Sequence, residues 1–167
     1  MTNPLLDKTK SAILQKTDSR LHPIVQKMVT AGETIMYSDN TRHMLTAAIK
    51  QGKPELVGGS FAALAVLVIK QADKQMPMDA LVPAAVILLC EGLQLMEDGG
   101  APPIDNDYLS AAAQAMGEKL LSLLKATPDT LQRMVDKAGA AAKPAPPGTE
   151  VVENPAGIVA GAAPGAM

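Results

Sequence analysis

Aromatic side chains are scarce in this 167-residue sequence: Tyr37, Phe61 and Tyr108 are the only three, and Trp is absent. A core without large rings has to be assembled from Leu, Ile, Val, Ala and the ten Met. Such side chains fill irregular space well but fix geometry weakly. A domain of this size built that way is modestly stable alone and gains from partner contacts. Cysteine is scarcer still. Cys90 is the only one, which rules out an intrachain disulfide. Its setting in the apolar run 84–90 predicts a buried, inert thiol. Charge of one sign is not in excess either. The net charge of −2 removes the electrostatic case for nucleic-acid binding. Met1-Thr2-Asn3-Pro4 has neither the basic segment nor the apolar stretch of a signal peptide, so synthesis without signal-dependent secretion is expected. Alternating β-branched runs bounded by hairpin turns are missing, so no sheet is expected.

The charges present are unevenly placed. Residues 1–53 hold eight basic and four acidic side chains, whereas residues 54–139 hold six and eleven. This asymmetry is ordinary for solvated helical faces and also suits head-to-tail contact between copies or an acidic partner.

Helix punctuation is strong. Asn3-Pro4 reads as an N-cap followed by proline in the first helical position, opening a helix to about Lys16. Pro23 opens a second. Asp39 or Asn40 caps a third, which carries Met44, Leu45, Ala48 and Ile49 on one stripe and stops at Gly52. Pro54 opens a fourth helix to about Gln75, without charge from residue 56 to residue 69. Asp79 caps a fifth, over 80–97, and Asp105 a sixth, through Leu109, Ala112, Met116 and Leu120. Thr127-Pro128 opens a seventh to about Ala138. The expected fold is therefore all-α: about six or seven short helices over residues 1–139. An Ala/Pro/Gly-rich C-terminal tail follows over 140–167, too poor in apolar bulk to fold alone.

No catalytic or metal-binding pattern stands out, and a non-enzymatic protein without cofactor is expected. His22 and His43 stand apart from each other and from Cys90. His22 precedes Pro23 at a helix start, and His43 is expected at the surface. Gly58-Gly59-Ser60 lacks the lysine of a phosphate loop. Glu97, Asp98, Asp105 and Asp107 form the best candidate for ion binding. A calcium loop begun at Asp105 would need Gly where Ser110 stands and Glu where Met116 stands, so helix capping is the simpler role. Glu91, beside the apolar run of helix five, is expected to face solvent. The charge-free runs 56–69 and 80–90 are shorter than the roughly 20 residues of a bilayer span, which favours core helices. Gly58, Gly59, Ala62 and Ala63 make a small-residue face suited to tight helix pairing. That face, with Pro144, Pro146 and Pro147 of the tail, is the expected interaction surface.

The segments Gly32-Glu33-Thr34-Ile35-Met36-Tyr37-Ser38, Thr41-Arg42-His43-Met44 and Val82-Pro83-Ala84-Ala85-Val86-Ile87-Leu88-Leu89-Cys90-Glu91 resemble small helical virion proteins of tailed bacteriophages. The likeness spans roughly residues 20–125 and carries no catalytic motif. It implies a structural protein located in the virion, present in several copies. Its partners would be copies of itself and other virion proteins of the head, neck, tail or internal core. Two alternatives stand beside it: an ejected phage protein whose apolar helices touch or enter the host envelope, and a cytosolic helical ligand-binding domain.

Overall fold

Asn3 starts the first helix as its side chain predicts. Its Oδ1 accepts the Leu5 backbone N–H at 2.9 Å, and Pro4 takes the first position of α1 (Pro4–Lys16). The computed structural model describes residues 2–125 together with Asp129 and Arg133. Apart from those two positions, the expected seventh helix lies outside the described residues, as does the tail with Pro144, Pro146 and Pro147. Among the described residues there are six α-helices and no strand.

Asp18 caps a single 3-10 turn, Ser19–Leu21, that leads into α2 (His22–Met36). His22 Nε2 lies 2.9 Å from the Leu14 carbonyl oxygen and 3.1 Å from that of Thr17, so it donates to the end of α1. α3 (Asp39–Gln51) stops at Gly52, whose φ of 77° is the left-handed conformation glycine tolerates. Neither Asp39 nor Asn40 caps α3. Ser38 occupies the cap position, and its hydroxyl donates back to the Ile35 carbonyl at 2.7 Å.

α4 (Pro54–Ala72) is three residues shorter than its apolar pattern predicts. The Lys70 ammonium donates to the carbonyl oxygens of Lys74 (2.7 Å) and Met76, and Asp73 Oδ1 accepts the Gln75 N–H. These bonds satisfy the backbone of a turn and end the helix there. A 3-10 turn, Met78–Ala80, precedes α5 (Leu81–Asp98). The cap position of α5 is Ala80, so Asp79 does not cap it. α6 (Asn106–Leu124) begins at Asp105, whose Oδ1 accepts the Tyr108 N–H at 2.9 Å.

α5 is the axis of the fold. Leu81, Leu88, Leu89, Leu93 and Met96 are buried on it. α1, α2, α3 and α4 pack round it, with Leu6, Val25, Met28, Met36, Leu45 and Val66 turned inward. α6 packs chiefly on α4 and only marginally on α5. Gly58, near the start of α4, lies against Leu93 and Met96 near the end of α5, so these two helices run antiparallel. Gly59 lies against Ala112, Ala115 and Met116 in the first half of α6, so α4 and α6 run parallel.

Candidate interaction surface

The small-residue face of α4 is occupied by the chain itself. A Cβ on Gly59 would stand 2.4 Å from the Ala112 carbonyl oxygen, 2.8 Å from the Met116 nitrogen and 2.9 Å from Ala115 Cβ. A Cβ on Gly58 would meet Met96 Cε at 2.7 Å. Ala62 and Ala63 are fully buried. The expected interaction set Gly58, Gly59, Ala62 and Ala63 thus makes close helix crossings inside one molecule. The surface of α4 left for another chain is the opposite one.

That opposite face is apolar. Leu56, Leu64 and Val68 are 45 %, 44 % and 54 % exposed, and Met44 of α3 beside them is 44 % exposed. Leu56, Ser60, Leu64 and Val68 recur at every fourth residue, which places them along one ridge of the helix. Together with Ile35, Thr41 and Met44 they border an open groove of about 420 Å³ whose floor includes Phe61 and Ala65. Among the described residues, Ser60 and Thr41 contribute its only side-chain polar groups and no charged side chain lines it. Burying a large aliphatic side chain completely is worth roughly 1.5–3 kcal/mol. At about half exposure, each of these residues has on the order of 1 kcal/mol left to gain from a covering surface.

α4 and α5 also bear on membranes. The charge-free runs are too short to span, but the helices that contain them are not. Pro54–Ala72 (19 residues) and Met78–Asp98 (21 residues) are long and apolar enough to cross a bilayer by length and composition. The added length brings charge with it, Glu55 and Lys70 in the first segment and Asp79, Glu91, Glu97 and Asp98 in the second, and the same length and composition suit the buried helices of a core.

The polar groups are spent on fastening helices. Glu91 does not face solvent. Its Oε1 accepts from Lys10 Nζ of α1 at 2.8 Å, with the two side chains only 24 % and 23 % exposed. Asp7 Oδ1 lies 3.2 Å from the same ammonium. Burial pulls the Lys10 pKa down, but the Glu91 and Asp7 carboxylates more than offset it, so the ammonium titrates above its ordinary value. The hydrogen bond from Lys10, helped by one from Thr2, holds the Asp7 carboxyl below its ordinary value. Asn3 fastens a second point. Its backbone N–H donates to Gln94 Oε1 at 2.7 Å, and its Nδ2 donates to Glu97 Oε2 at 2.8 Å and to the Ile104 carbonyl at 3.0 Å. The sequence showed Asn3 only as a cap; residues 91 or more positions distant carried no local signal of this role.

The acidic candidates are therefore dispersed. Glu97 binds Asn3, Asp98 accepts from Gln94 Nε2 at 2.9 Å, and Asp105 caps α6. Among the described residues no group of three His, Cys, Asp or Glu side chains converges. A second, smaller hollow of about 200 Å³ lies between Arg42 and Ile49 of α3 and Leu95 and Asp98 of α5. His43 is exposed, and Cys90 is fully buried, which pushes its thiol up to about 12 and keeps it in the unreactive form. No family model, curated protein or solved structure matches the chain.

Proposed function

We propose that this chain is a non-catalytic structural protein that docks onto copies of itself and onto other protein chains through the outward face of α4. The observation that carries this reading is the bare apolar ridge Leu56, Leu64 and Val68 with Met44 beside it. Monomeric proteins seldom present a contiguous apolar patch without using it. The resemblance to helical virion proteins supplies the setting: a tailed-phage particle, with several copies per particle and other virion proteins as partners. The full-length chain carrying Leu56→Ser, Leu64→Ser and Val68→Thr, compared with the natural chain by light scattering over rising concentration, tests the docking. The natural chain gains mass and the variant stays monomeric. Equal behaviour of the two would end this reading. Absence of the chain from purified particles would end the virion setting alone.

A second reading draws on the length of α4 and α5. Joined by the short turn at residues 73–77, they form a hairpin whose two arms are each long enough to cross a bilayer. An ejected protein would use that hairpin on the host envelope. Flotation with liposomes of anionic and neutral composition, at neutral and acidic pH, tests it; no flotation under any condition removes it.

A further inference from the structure

The outward face of α4 has a centre, and its two halves match. Positions equally distant from Ala62 are alike in exposure along most of the helix. Leu56 and Val68 are exposed, as are Lys53 at the cap position and Gln71. Val57 and Leu67 are both partly buried, and the pairs at 58 and 66, 59 and 65, and 61 and 63 are buried. Turning the helix end for end about an axis through Ala62 therefore lays this face on its own image. An isologous two-fold contact requires that property, because one surface supplies both sides of it.

The side chains fit that operation in one direction only. With two copies antiparallel, the partly buried Ser60 of each lies under the 44 % exposed Leu64 of the other. A large side chain then enters the gap left by a small one, as ridges pack into grooves. Leu56 of each copy lies over Val68 of the other, apolar against apolar. A parallel pair in register would stack Leu64 on Leu64 and leave Ser60 facing Ser60. Charge favours the same direction. Lys53 ends the face at the start of α4 and forms no ion pair among the described residues. In the antiparallel pair the two Lys53 backbones stand about 27 Å apart at 1.5 Å per residue, well beyond the screening length of about 8 Å. Each faces the uncharged Gln71 of the other copy, and opposite ends of the two helix dipoles lie side by side. The parallel pair would set lysine beside lysine.

We propose that the occupant of the outward face of α4 is the same face of a second copy, turned antiparallel about a two-fold axis through Ala62. This rests on the docking reading above and names its partner. The contact is closed: each face is used up by the other, so assembly through it stops at two chains.

Cross-linking with a short bismaleimide in the full-length chain tests the pairing. Cys90 is fully buried and stays silent, so each introduced cysteine is the one reactive thiol. Ser60→Cys lies two residues from the axis, about 6 Å along it from its mate, and should link to itself. Lys53→Cys alone and Gln71→Cys alone should link poorly, whereas their mixture should link about tenfold or more faster, because facing thiols are held at a high effective concentration. These three positions leave the apolar ridge Leu56, Leu64 and Val68 intact. The mass of the natural chain should climb to twice the monomer and stop. Lys53→Cys linking to itself as fast as in the mixture makes the pair parallel and overturns the proposal. So do equal rates at every position, or growth beyond two chains that Leu64→Ser abolishes; in all three cases the docking reading stands. A natural chain that stays monomeric at every concentration, its face taken by another protein or by the rest of the chain, overturns the pairing and self-docking together.

Discussion

α4 and α5 are two arms of one hairpin, almost equally apolar, and they meet different fates. Over an 18-residue stretch, 67 % of the α5 segment is buried against 44 % of α4. α5 is surrounded, so its hydrophobicity is accounted for by the core it builds. α4 is packed on one side against α6, with Gly59 close to the α6 backbone, and left bare on the other. The lesson is that composition alone cannot assign a role to an apolar helix. What matters is how much of its surface the chain's own helices cover, and α4 retains apolar surface that the described helices do not use.

The contrast can be broken first at its strongest point. Leu93 is fully buried on α5, and Leu93→Ala should cost about 3 kcal/mol, within the range for emptied core sites. Chemical denaturation reads this as a lowered midpoint. The inward side of α4 comes next. Gly59→Ala drives a methyl into the backbone of α6 at Ala112 and Met116, at a cost of about 2–3 kcal/mol for overpacking. Gly58→Ala meets only the flexible end of Met96 and a methyl of Leu93 and should cost about 1 kcal/mol. If the two glycine variants unfold at the same denaturant concentration, the α4–α6 crossing is looser than described.

Glu91→Gln should cost about 1 kcal/mol, because it leaves the half-buried Lys10 with Asp7 alone. Two pH effects accompany it. Asp7 and Asp73, held down by Lys10 and Lys27 respectively, stabilise the fold above the ordinary carboxylate value of 3.8. That contribution disappears as pH falls through their lower folded values. On the alkaline side burial raises Cys90 from 9.0 to about 12 and Tyr108 from 10.0 to about 12. The unfolded chain ionises first, so stability is complete below about pH 9 and declines as pH rises toward 12. Thermal melts of Cys90→Ala, in which the decline should begin nearer pH 10, check the assignment. Tyr108 adds a small effect of opposite sign. Its buried hydroxyl has no hydrogen-bond partner among the described residues, so Tyr108→Phe should leave stability unchanged or raise it by up to about 1 kcal/mol.

Much of the helical framework was legible in the sequence. Asn3-Pro4, Gly52, Pro54 and Asp105 act on the next few residues, and local chemistry of that kind is visible along the chain. Asp39, Asn40 and Asp79 misled because a capping side chain competes with neighbours that the sequence does not rank: Ser38 and Ala80 took the positions instead. The site was less legible. Gly58 and Gly59 lie where α5 and α6 come close to α4, but a sequence cannot say whether an approaching helix is its own. Glu91 looked solvent-facing because Lys10 stands 81 residues away. Leu56, Leu64 and Val68 carried the one available signal for the groove, a charge-free helix hydrophobic all round, which only the placement of α6 and α3 converts into one covered and one bare face.

The smallest effect on stability and the largest on assembly should fall on the same residue. Leu64→Ser is expected to change unfolding free energy by no more than about 0.5 kcal/mol, as at an ordinary surface position. The direct measurement is sedimentation equilibrium of the full-length natural chain and the full-length Leu64→Ser chain over a wide concentration range. Docking through the outward face of α4 predicts a mass that rises with concentration for the first and a constant monomer mass for the second, with equal melting temperatures. Superimposable mass curves for two equally folded chains would contradict it.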